Sequence, residues 1–257
     1  MKELLDISSF LGLPEQASAH AWELDYWTGL IHWLMLLLAV GWGAFFIYTM
    51  VRFRASKNPR ANYAGTKGKL AKYQEGGVIL AEVLLLGLFA IPNWAVWRNA
   101  PETAQNPIHV NVVGEQFAWN FHYPGADGVF GKRDVNLVDT QMNPLGLDRS
   151  DPAAADDLVM LNEMHLPVDR DIVLHISSKD VIHSFSMNAH RVKQDAIPGL
   201  IIPVSFVPTQ TGRFEISCAQ LCGLSHYRMK AWVIVETGAE YEQWLIDAAE
   251  EMARYAS

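Results

Sequence analysis

The chain has 257 residues, with 20 Lys and Arg against 28 Asp and Glu, so its net charge is −8. This balance argues against a nucleic-acid-binding protein, which needs a basic face. Half of the residues are hydrophobic, and two long apolar runs lie near the N-terminus. The composition therefore predicts a membrane anchor followed by an ordinary globular domain.

Residues 1–27 are mixed in character and slightly acidic. Asp6, Pro14 and Glu15 interrupt any apolar core of a cleaved signal peptide, so we predict an N-terminal segment outside the cytoplasm. The first apolar run, residues 28–51, holds no charged residue and is long enough to cross a bilayer as a helix. His32 lies inside this run, and we interpret it as a hydrogen-bonded interfacial histidine rather than a ligand.

A second apolar run covers residues 76–97 and ends in two tryptophans, Trp94 and Trp97. The two runs predict a transmembrane hairpin over residues 28–98. Residues 52–74 between them carry no acid, and by the positive-inside rule this loop is cytoplasmic. Both termini and the rest of the chain are then outside. The basic residues of the loop are Arg52, Arg54, Lys57, Arg60, Lys67, Lys69 and Lys72.

Two acidic residues mark the second run. Glu75 stands at its cytoplasmic end, and Glu82 lies about 10 Å deeper along a helix, on the same face. A carboxylate in a membrane span is costly, so it usually faces protein or water and often handles protons. An equally good interpretation of Glu75 is a solvated residue at the start of the helix, where the helix dipole favours a negative charge. We predict that this helix packs against another membrane subunit.

After a predicted linker at residues 99–107, short β-branched and aromatic runs alternate with turn residues. This pattern predicts an all-β sandwich or barrel over residues 108–237. Residues 144–157 are acidic and rich in turn residues, which predicts a solvated loop, and residues 238–257 predict an amphipathic helix. The predicted strands are residues 108–113, 117–123, 171–177, 201–207, 212–218 and 229–236.

The two cysteines of the chain, Cys218 and Cys222, are followed by His226 and Met229 on one short loop. Thiolate, imidazole and thioether groups form a soft-ligand set that suits copper, and two thiolates can bridge a pair of copper ions. A disulfide and a structural zinc site are the alternatives, but neither has a use for the thioether.

A two-metal centre needs a second imidazole from elsewhere in the β domain. His183 follows a predicted strand and stands where a loop begins, which is a common place for a ligand. His165, His175 and His190 compete with it, and the pattern alone leaves the choice open.

Four motifs make the chain similar to subunit II of the haem–copper cytochrome c oxidases, over both spans and the outer domain. They are LNEMHLP at residues 161–167, SKDVIHSF at 178–185, KQDAIPG at 193–199 and CAQLCGLSHYRM at 218–229. The resemblance implies a cupredoxin-like barrel that holds a binuclear copper A centre. It assigns as ligands His183, Cys218, Cys222, His226, Met229 and the backbone carbonyl of Gln220.

The resemblance also implies a proton route. The family has a carboxylate before its second helix, at the mouth of a proton channel into subunit I, and Glu75 stands at that position. Glu82 stands where the family often has proline, so it has no assigned role.

Three departures from the family pattern bear on the partners. Gln220 replaces a glutamate that helps to hold magnesium, and a neutral amide is a poorer ligand for that ion, which puts the magnesium site in doubt. Phe117 replaces the exposed tryptophan that receives electrons, although Trp119 keeps the other aromatic. Lys179 stands where an acidic docking residue is common, beside Asp180. We therefore predict a tethered or membrane-bound c-type cytochrome as the electron donor.

The resemblance implies a subunit of a proton-translocating oxidase in a bacterial inner membrane. The chain would pass electrons to the haem of subunit I, where oxygen is reduced to water. The copper ligands argue against a quinol oxidase, and the two-helix anchor with its acids argues against a simple anchored cupredoxin carrier. A nitric oxide reductase with the same copper centre stays open, because the difference lies in the partner's active site.

Overall fold

The computed structural model describes residues 7–60, 63 and 68–256, and the chain forms two compact units. The first unit contains residues 26–99 and is helical. The second contains residues 8–25 together with the chain from residue 100 onward, and its centre is a β-sandwich. The predicted fold class is confirmed: two apolar helices, a cupredoxin-like β domain and a short C-terminal helix.

Helix α1, Ala21–Arg52, contains the whole first apolar run. It begins before that run, and Glu23 in its first turn and Arg52 in its last turn both suit the helix dipole. Nδ1 of His32 lies 2.7 Å from the carbonyl oxygen of Thr28, so this histidine is hydrogen-bonded within its own helix. By length and composition, α1 and the second long helix can both cross a membrane.

The second long helix contains a π-helical turn. Helix α2, Lys69–Leu85, continues through the π-turn Leu86–Ala90 into helix α3, Ile91–Thr103. Pro92 is the second residue after this turn. A proline inside a helix removes one backbone donor and crowds the preceding turn, and a wider π-turn gives it room. The side chain of Asn93 donates to the carbonyl oxygen of Phe89 at 2.8 Å.

This helix corrects two predicted boundaries. Residues 69–74, predicted as part of the basic loop, are already helical, and α3 extends to Thr103, inside the predicted linker 99–107. Pro101 does not end the helix earlier, because it lies near the C-terminal end of α3. There a proline removes a hydrogen bond only from the last turns. Lys67 lies outside the described residues.

The β domain has two five-stranded sheets, in the orders β3-β2-β1-β5-β8 and β4-β10-β9-β6-β7. Strands β1 and β5 pair in parallel, as do β4 and β10, and the other pairs are antiparallel. The strands are β1 Ile108–Glu115, β2 Ala118–Tyr123, β3 Leu158–Leu161, β4 Glu163–Pro167, β5 Ile172–Ser178, β6 His183–Met187, β7 Val192–Ala196, β8 Ile202–Phe206, β9 Gly212–Cys218 and β10 Lys230–Glu236.

The core between the sheets is apolar and aromatic, with Trp119, Phe121, Phe185 and Ile216 fully buried. The metal-binding candidates Cys218, Cys222 and Met229 belong to the same cluster of buried residues. The candidate site is therefore an extension of the core rather than a surface feature.

Helix α4, Gly238–Ala256, packs against β3, β4 and β10. Thr237 and Glu240 form a reciprocal cap at its start, with the Thr237 N–H donating to the Glu240 carboxylate at 2.9 Å. The ring of Trp244 stacks on His165 of β4, with ring centroids 4.3 Å apart. This contact fixes the amphipathic face of α4 on the domain.

The N-terminal segment, residues 8–25, packs on the β domain. The Ala17 N–H donates to the Ala189 carbonyl at 2.9 Å, and the Ala17 carbonyl accepts from the Thr209 N–H at the same distance. The guanidinium of Arg191 makes two hydrogen bonds of 2.8 Å to the carboxylate of Asp25, which is only 3% exposed. The segment is thus held by a backbone ladder and one buried ion pair.

Candidate metal centre

Two neighbouring strands carry the residues of the candidate centre. His183 is the first residue of β6, and Cys218 is the last residue of β9, which pairs with β6 so that Phe185 lies opposite Cys218. The sequence placed His183 at the start of a loop, whereas it begins a fully buried strand. The sequence of β6, HSFSM, alternates serine with Phe185 and Met187, but the pattern spans only five residues and was not predicted as a strand.

The two cysteines are free thiols with their sulfur atoms 3.8 Å apart. A disulfide needs a separation of about 2.05 Å, so this pair is not bonded. Two thiolates on one tetrahedral metal, with bonds of about 2.3 Å, lie about 3.8 Å apart. The spacing therefore fits a shared metal.

Each sulfur has an imidazole beside it. Nδ1 of His183 lies 3.9 Å from Sγ of Cys218, and Nδ1 of His226 lies 3.6 Å from Sγ of Cys222. Sγ of Cys218 also lies 3.2 Å from the backbone carbonyl oxygen of Gln220. The centre thus has two halves, one around each cysteine.

Met229 completes the half around Cys222. Its thioether sulfur lies 3.7 Å from Sγ of Cys222, and its side chain is 2% exposed. A buried thioether beside two thiolates is a soft donor that copper accepts and that zinc does not need. This donor set fits copper, as the family resemblance implied.

His183 is aimed by a carboxylate. Its Nε2 donates to Oδ1 of Asp180 at 2.8 Å, which leaves Nδ1 directed at Cys218. Such an outer carboxylate fixes the tautomer and orientation of a ligand imidazole. Glycine at position 114 gives the ring its space, because a Cβ there would lie 3.0 Å from Cδ2 of His183.

The two thiols differ in acidity. Burial opposes ionisation of Cys218, but hydrogen bonds with the His183 ring and with backbone groups lower its pKa to about 6. Burial and the neighbouring Cys218 raise the pKa of Cys222 to about 11. One thiolate is therefore ready for a cation at neutral pH, and a bound cation then favours ionisation of the second.

The other histidines considered in the sequence have different surroundings. His165 lies between the carboxylates of Glu163 and Glu236. His175 hydrogen-bonds to His109, and both ring nitrogens of His190 are buried without a hydrogen-bond partner. Among the described residues, the group of His183, Cys218 and Cys222 alone brings three or more His, Cys or acidic donors close enough for one metal ion.

The two aromatic residues singled out in the sequence lie beside the centre. Trp119 is fully buried, with its ring centroid 5.9 Å from that of His183. Phe117 is half-buried, and its ring edge lies next to Gly223 of the metal loop. Of the two, Phe117 is the one a partner protein can reach.

The remaining candidates lie elsewhere. The side chain of Gln220 is exposed. Glu75 belongs to the helical unit, where it lines a groove between α1 and α2 together with Leu38 and Trp42. Glu82 is exposed on the surface of α2.

Sequence reasoning missed one residue of the site, Gln116. Its side-chain amide donates to the carbonyl oxygen of Cys222 at 2.6 Å. Its sequence signal was weak: a glutamine between two predicted strands is an ordinary turn residue. The contact bridges 106 positions of the chain, so no local pattern reveals it.

Known proteins resemble this chain throughout the β domain. Residues 108–237 match the family described as cytochrome C oxidase subunit II, periplasmic domain. The alternative cytochrome c oxidase subunit 2 of Bradyrhizobium diazoefficiens is 33% identical over 225 residues, which are 87% of this chain and 77% of that protein. Cytochrome c oxidase subunit 2 of Cereibacter sphaeroides is 26% identical, over 92% of this chain and 80% of that one.

A solved structure, the periplasmic domain of subunit II of the Bradyrhizobium japonicum cytochrome oxidase, is 30% identical to the chain. It covers 58% of this chain and 96% of its own length, with a TM-score of 0.43.

The family match covers the two sheets and every residue of the candidate centre. Together with the two helices that can cross a membrane, it makes the chain an inner-membrane protein and part of a haem–copper oxidase, an oxidoreductase. The chain belongs to the cytochrome c oxidase subunit II family.

Proposed function

We propose that this subunit accepts electrons from a c-type cytochrome at a binuclear copper A centre. It then passes them to the haem of subunit I, where oxygen is reduced to water with proton translocation. The observation that carries the proposal is the pair of free thiols 3.8 Å apart, flanked by two imidazoles and a buried thioether. Two bridging thiolates are what a two-copper centre requires and a one-copper site does not.

In this proposal the two copper ions would be held by the thiolates of Cys218 and Cys222 and by the imidazoles of His183 and His226. Met229 and the Gln220 carbonyl complete the two halves. The bound pair of coppers supplies a one-electron carrier. The protein's part is to keep the donors fixed and dry: Cys218, Cys222 and Met229 are each less than 10% exposed. A rigid buried donor set moves little when the charge of the centre changes.

The direct test is to purify the intact membrane complex and to record its metal content and copper spectrum. A mixed-valence two-copper signal, with oxygen uptake, is the expected result. One copper, zinc or no metal in this subunit would overturn the proposal. Cys222→Ser is expected to abolish the two-copper signal, because one bridging thiolate is lost.

We also propose that Glu75 is the entry point for the protons that are consumed in oxygen reduction. Its place in a groove beside α1, near the start of α2, supports this role. Glu82 provides a matched control, since it is a second glutamate of the same helix. Glu75→Gln is expected to slow turnover of the assembled oxidase and to change its pH dependence, whereas Glu82→Gln is not. Equal turnover of the two variants would exclude Glu75.

For the donor, we propose a tethered or membrane-bound c-type cytochrome. The side chain of Lys179 is paired with Glu115 and donates to the carbonyl of Pro144 at 2.9 Å, so this position offers no negative charge to a basic partner. Reduction by soluble cytochrome c is then expected to be slow and to depend weakly on salt. Fast reduction that falls steeply with salt would contradict it, because steering between charges is screened.

The orientation follows from the basic loop, which we place in the cytoplasm with both termini outside. The supporting observation is the run of cations that continues into the first turn of α2. Protease added outside sealed, right-side-out vesicles is expected to cleave the β domain and to leave the basic loop intact.

A further inference from the structure

The turn between β1 and β2 touches the metal loop through one side chain. The amide nitrogen of the Gln116 side chain donates to the backbone carbonyl oxygen of Cys222 at 2.6 Å. That carbonyl belongs to Cys222, one of the two cysteines of the candidate centre. The loop is joined to β6 at its start, where the Ala219 N–H donates to the Ser184 carbonyl at 2.8 Å, and residues 220–228 form no strand, so the Gln116 bond anchors the loop near its middle.

The backbone of the same residue reaches the other half of the centre. The Gln116 N–H donates to Oδ2 of Asp180 at 2.7 Å. The second oxygen of that carboxylate, Oδ1, accepts from Nε2 of His183 at 2.8 Å. Gln116 is therefore tied to Cys222 through its side chain and to His183 through its backbone.

The fit of the turn against the loop depends on a glycine. Gly223 has φ +140°, which side chains rarely adopt, and a Cβ there would lie 2.7 Å from Nε2 of Gln116. It would also lie 3.1 Å from the ring of Phe117. The absence of a side chain at position 223 lets the amide reach the Cys222 carbonyl.

We propose that Gln116 is a positioning residue that fixes the Cys222–His226 half of the centre relative to the Cys218–His183 half. The inference rests on the proposed copper function and adds the means by which the two halves keep their separation. Strand pairing between β6 and β9 already fixes His183 and Cys218. The other half lies on a loop, and Gln116 supplies the cross-link that the sheet does not.

The change that tests this is Gln116→Met, which keeps the length and flexibility of the side chain but removes the amide donor. A second variant, Gln116→Glu, keeps the shape and places a carboxylate against the Cys222 carbonyl. The matched control is Gln210→Met. Gln210 also donates from its side chain to a backbone carbonyl, that of Gln16 at 2.9 Å, but in the N-terminal segment.

The measurements are made on the intact oxidase complex. They are copper content, the two-copper spectrum, and the rate at which a copper chelator bleaches it. Loss of an outer-shell partner typically weakens metal binding by about 10- to 100-fold. We expect both Gln116 variants to lose copper at least about tenfold faster than wild type. Their copper hyperfine pattern is expected to change, and Gln210→Met is expected to match wild type in each measurement.

The outcomes separate this inference from the proposed function. If the wild-type complex shows no two-copper spectrum, the proposed function fails and the positioning role with it. If wild type shows that spectrum and Gln116→Met equals Gln210→Met in bleaching rate and hyperfine pattern, the positioning role alone is refuted. If Gln116→Met does not assemble, Gln116→Glu decides by the same comparison. If neither variant assembles while Gln210→Met does, Gln116 serves assembly of the subunit, and the positioning role is rejected.

Discussion

Acid is expected to destabilise the β domain through one histidine, His190. Its side chain is fully buried between the rings of Phe206 and Phe214, and both of its nitrogens lack a hydrogen-bond partner. Burial, together with nearby His20, lowers the pKa of His190 from 6.5 to about 4. The unfolded chain therefore takes up a proton at a higher pH than the folded chain does.

The sign and size of the effect follow by linkage. Between pH 6.5 and pH 4 the unfolded state binds more protons, so the free energy of unfolding falls as the pH falls. A shift from 6.5 to about 4 corresponds to about 3 kcal/mol in total, of which about 2 kcal/mol is lost between pH 7 and pH 5. Burial lowers the pKa of His20 as well, so its contribution has the same sign.

The test replaces His190 by phenylalanine, which fits the aromatic slot and cannot ionise. Denaturant unfolding of the detergent-solubilised chain, followed by near-ultraviolet circular dichroism, is measured at pH 7 and pH 5. Wild type is expected to lose about 2 kcal/mol more than His190→Phe over this interval. An equal loss in both proteins, or an imidazole that titrates near 6.5 by NMR, would refute the reasoning.

Three further results are expected. Arg191→Met leaves the carboxylate of Asp25 buried without its cation, which is expected to cost about 3 kcal/mol of unfolding free energy and to speed chymotrypsin cleavage after Trp22 within residues 8–25. Unchanged denaturation midpoints and cleavage rates would count against this. Met229→Leu keeps the buried volume but removes the thioether, so we expect a folded complex that keeps two coppers with a shifted reduction potential, measured by redox titration; an unshifted potential would remove Met229 from the ligand set. Ile216→Ala opens a cavity at a fully buried position and is expected to lower stability by about 3 kcal/mol in the same denaturation assay, in contrast to a surface change of near zero.

Periodicity recovered the parts of the fold that have a clear hydrophobic pattern. The strands around residues 108–115 and 230–236 alternate buried and partly exposed residues for most of their length, and both were predicted. Strand β6 is buried at every residue and contains two serines, and it was missed. The β3 and β4 strands are separated only by Asn162, with φ +58°, and this single left-handed residue gives no pattern that marks two strands.

The metal ligands on the loop could be predicted because they are close in sequence. A single loop brings together Cys218, Cys222, His226 and Met229. Their soft donor atoms indicate a copper site. The choice of His183 among four histidines came from the family resemblance, since its approach depends on the pairing of β6 with β9. Sequence separation explains why the contact between Gln116 and Cys222 was not foreseen.

The packing of residues 8–25 on the β domain has a practical consequence for making this domain as a soluble fragment. A fragment that begins after the second membrane helix would lack Ala17 and Asp25. Arg191 would then lose its carboxylate partner, and the Thr209 N–H would lose the Ala17 carbonyl. Such a fragment contains every strand of both sheets but lacks the N-terminal segment that packs on them. Joining residues 8–25 to residue 104 through a flexible linker would restore the N-terminal segment. Spectroscopic work could then use a soluble domain that keeps these native contacts.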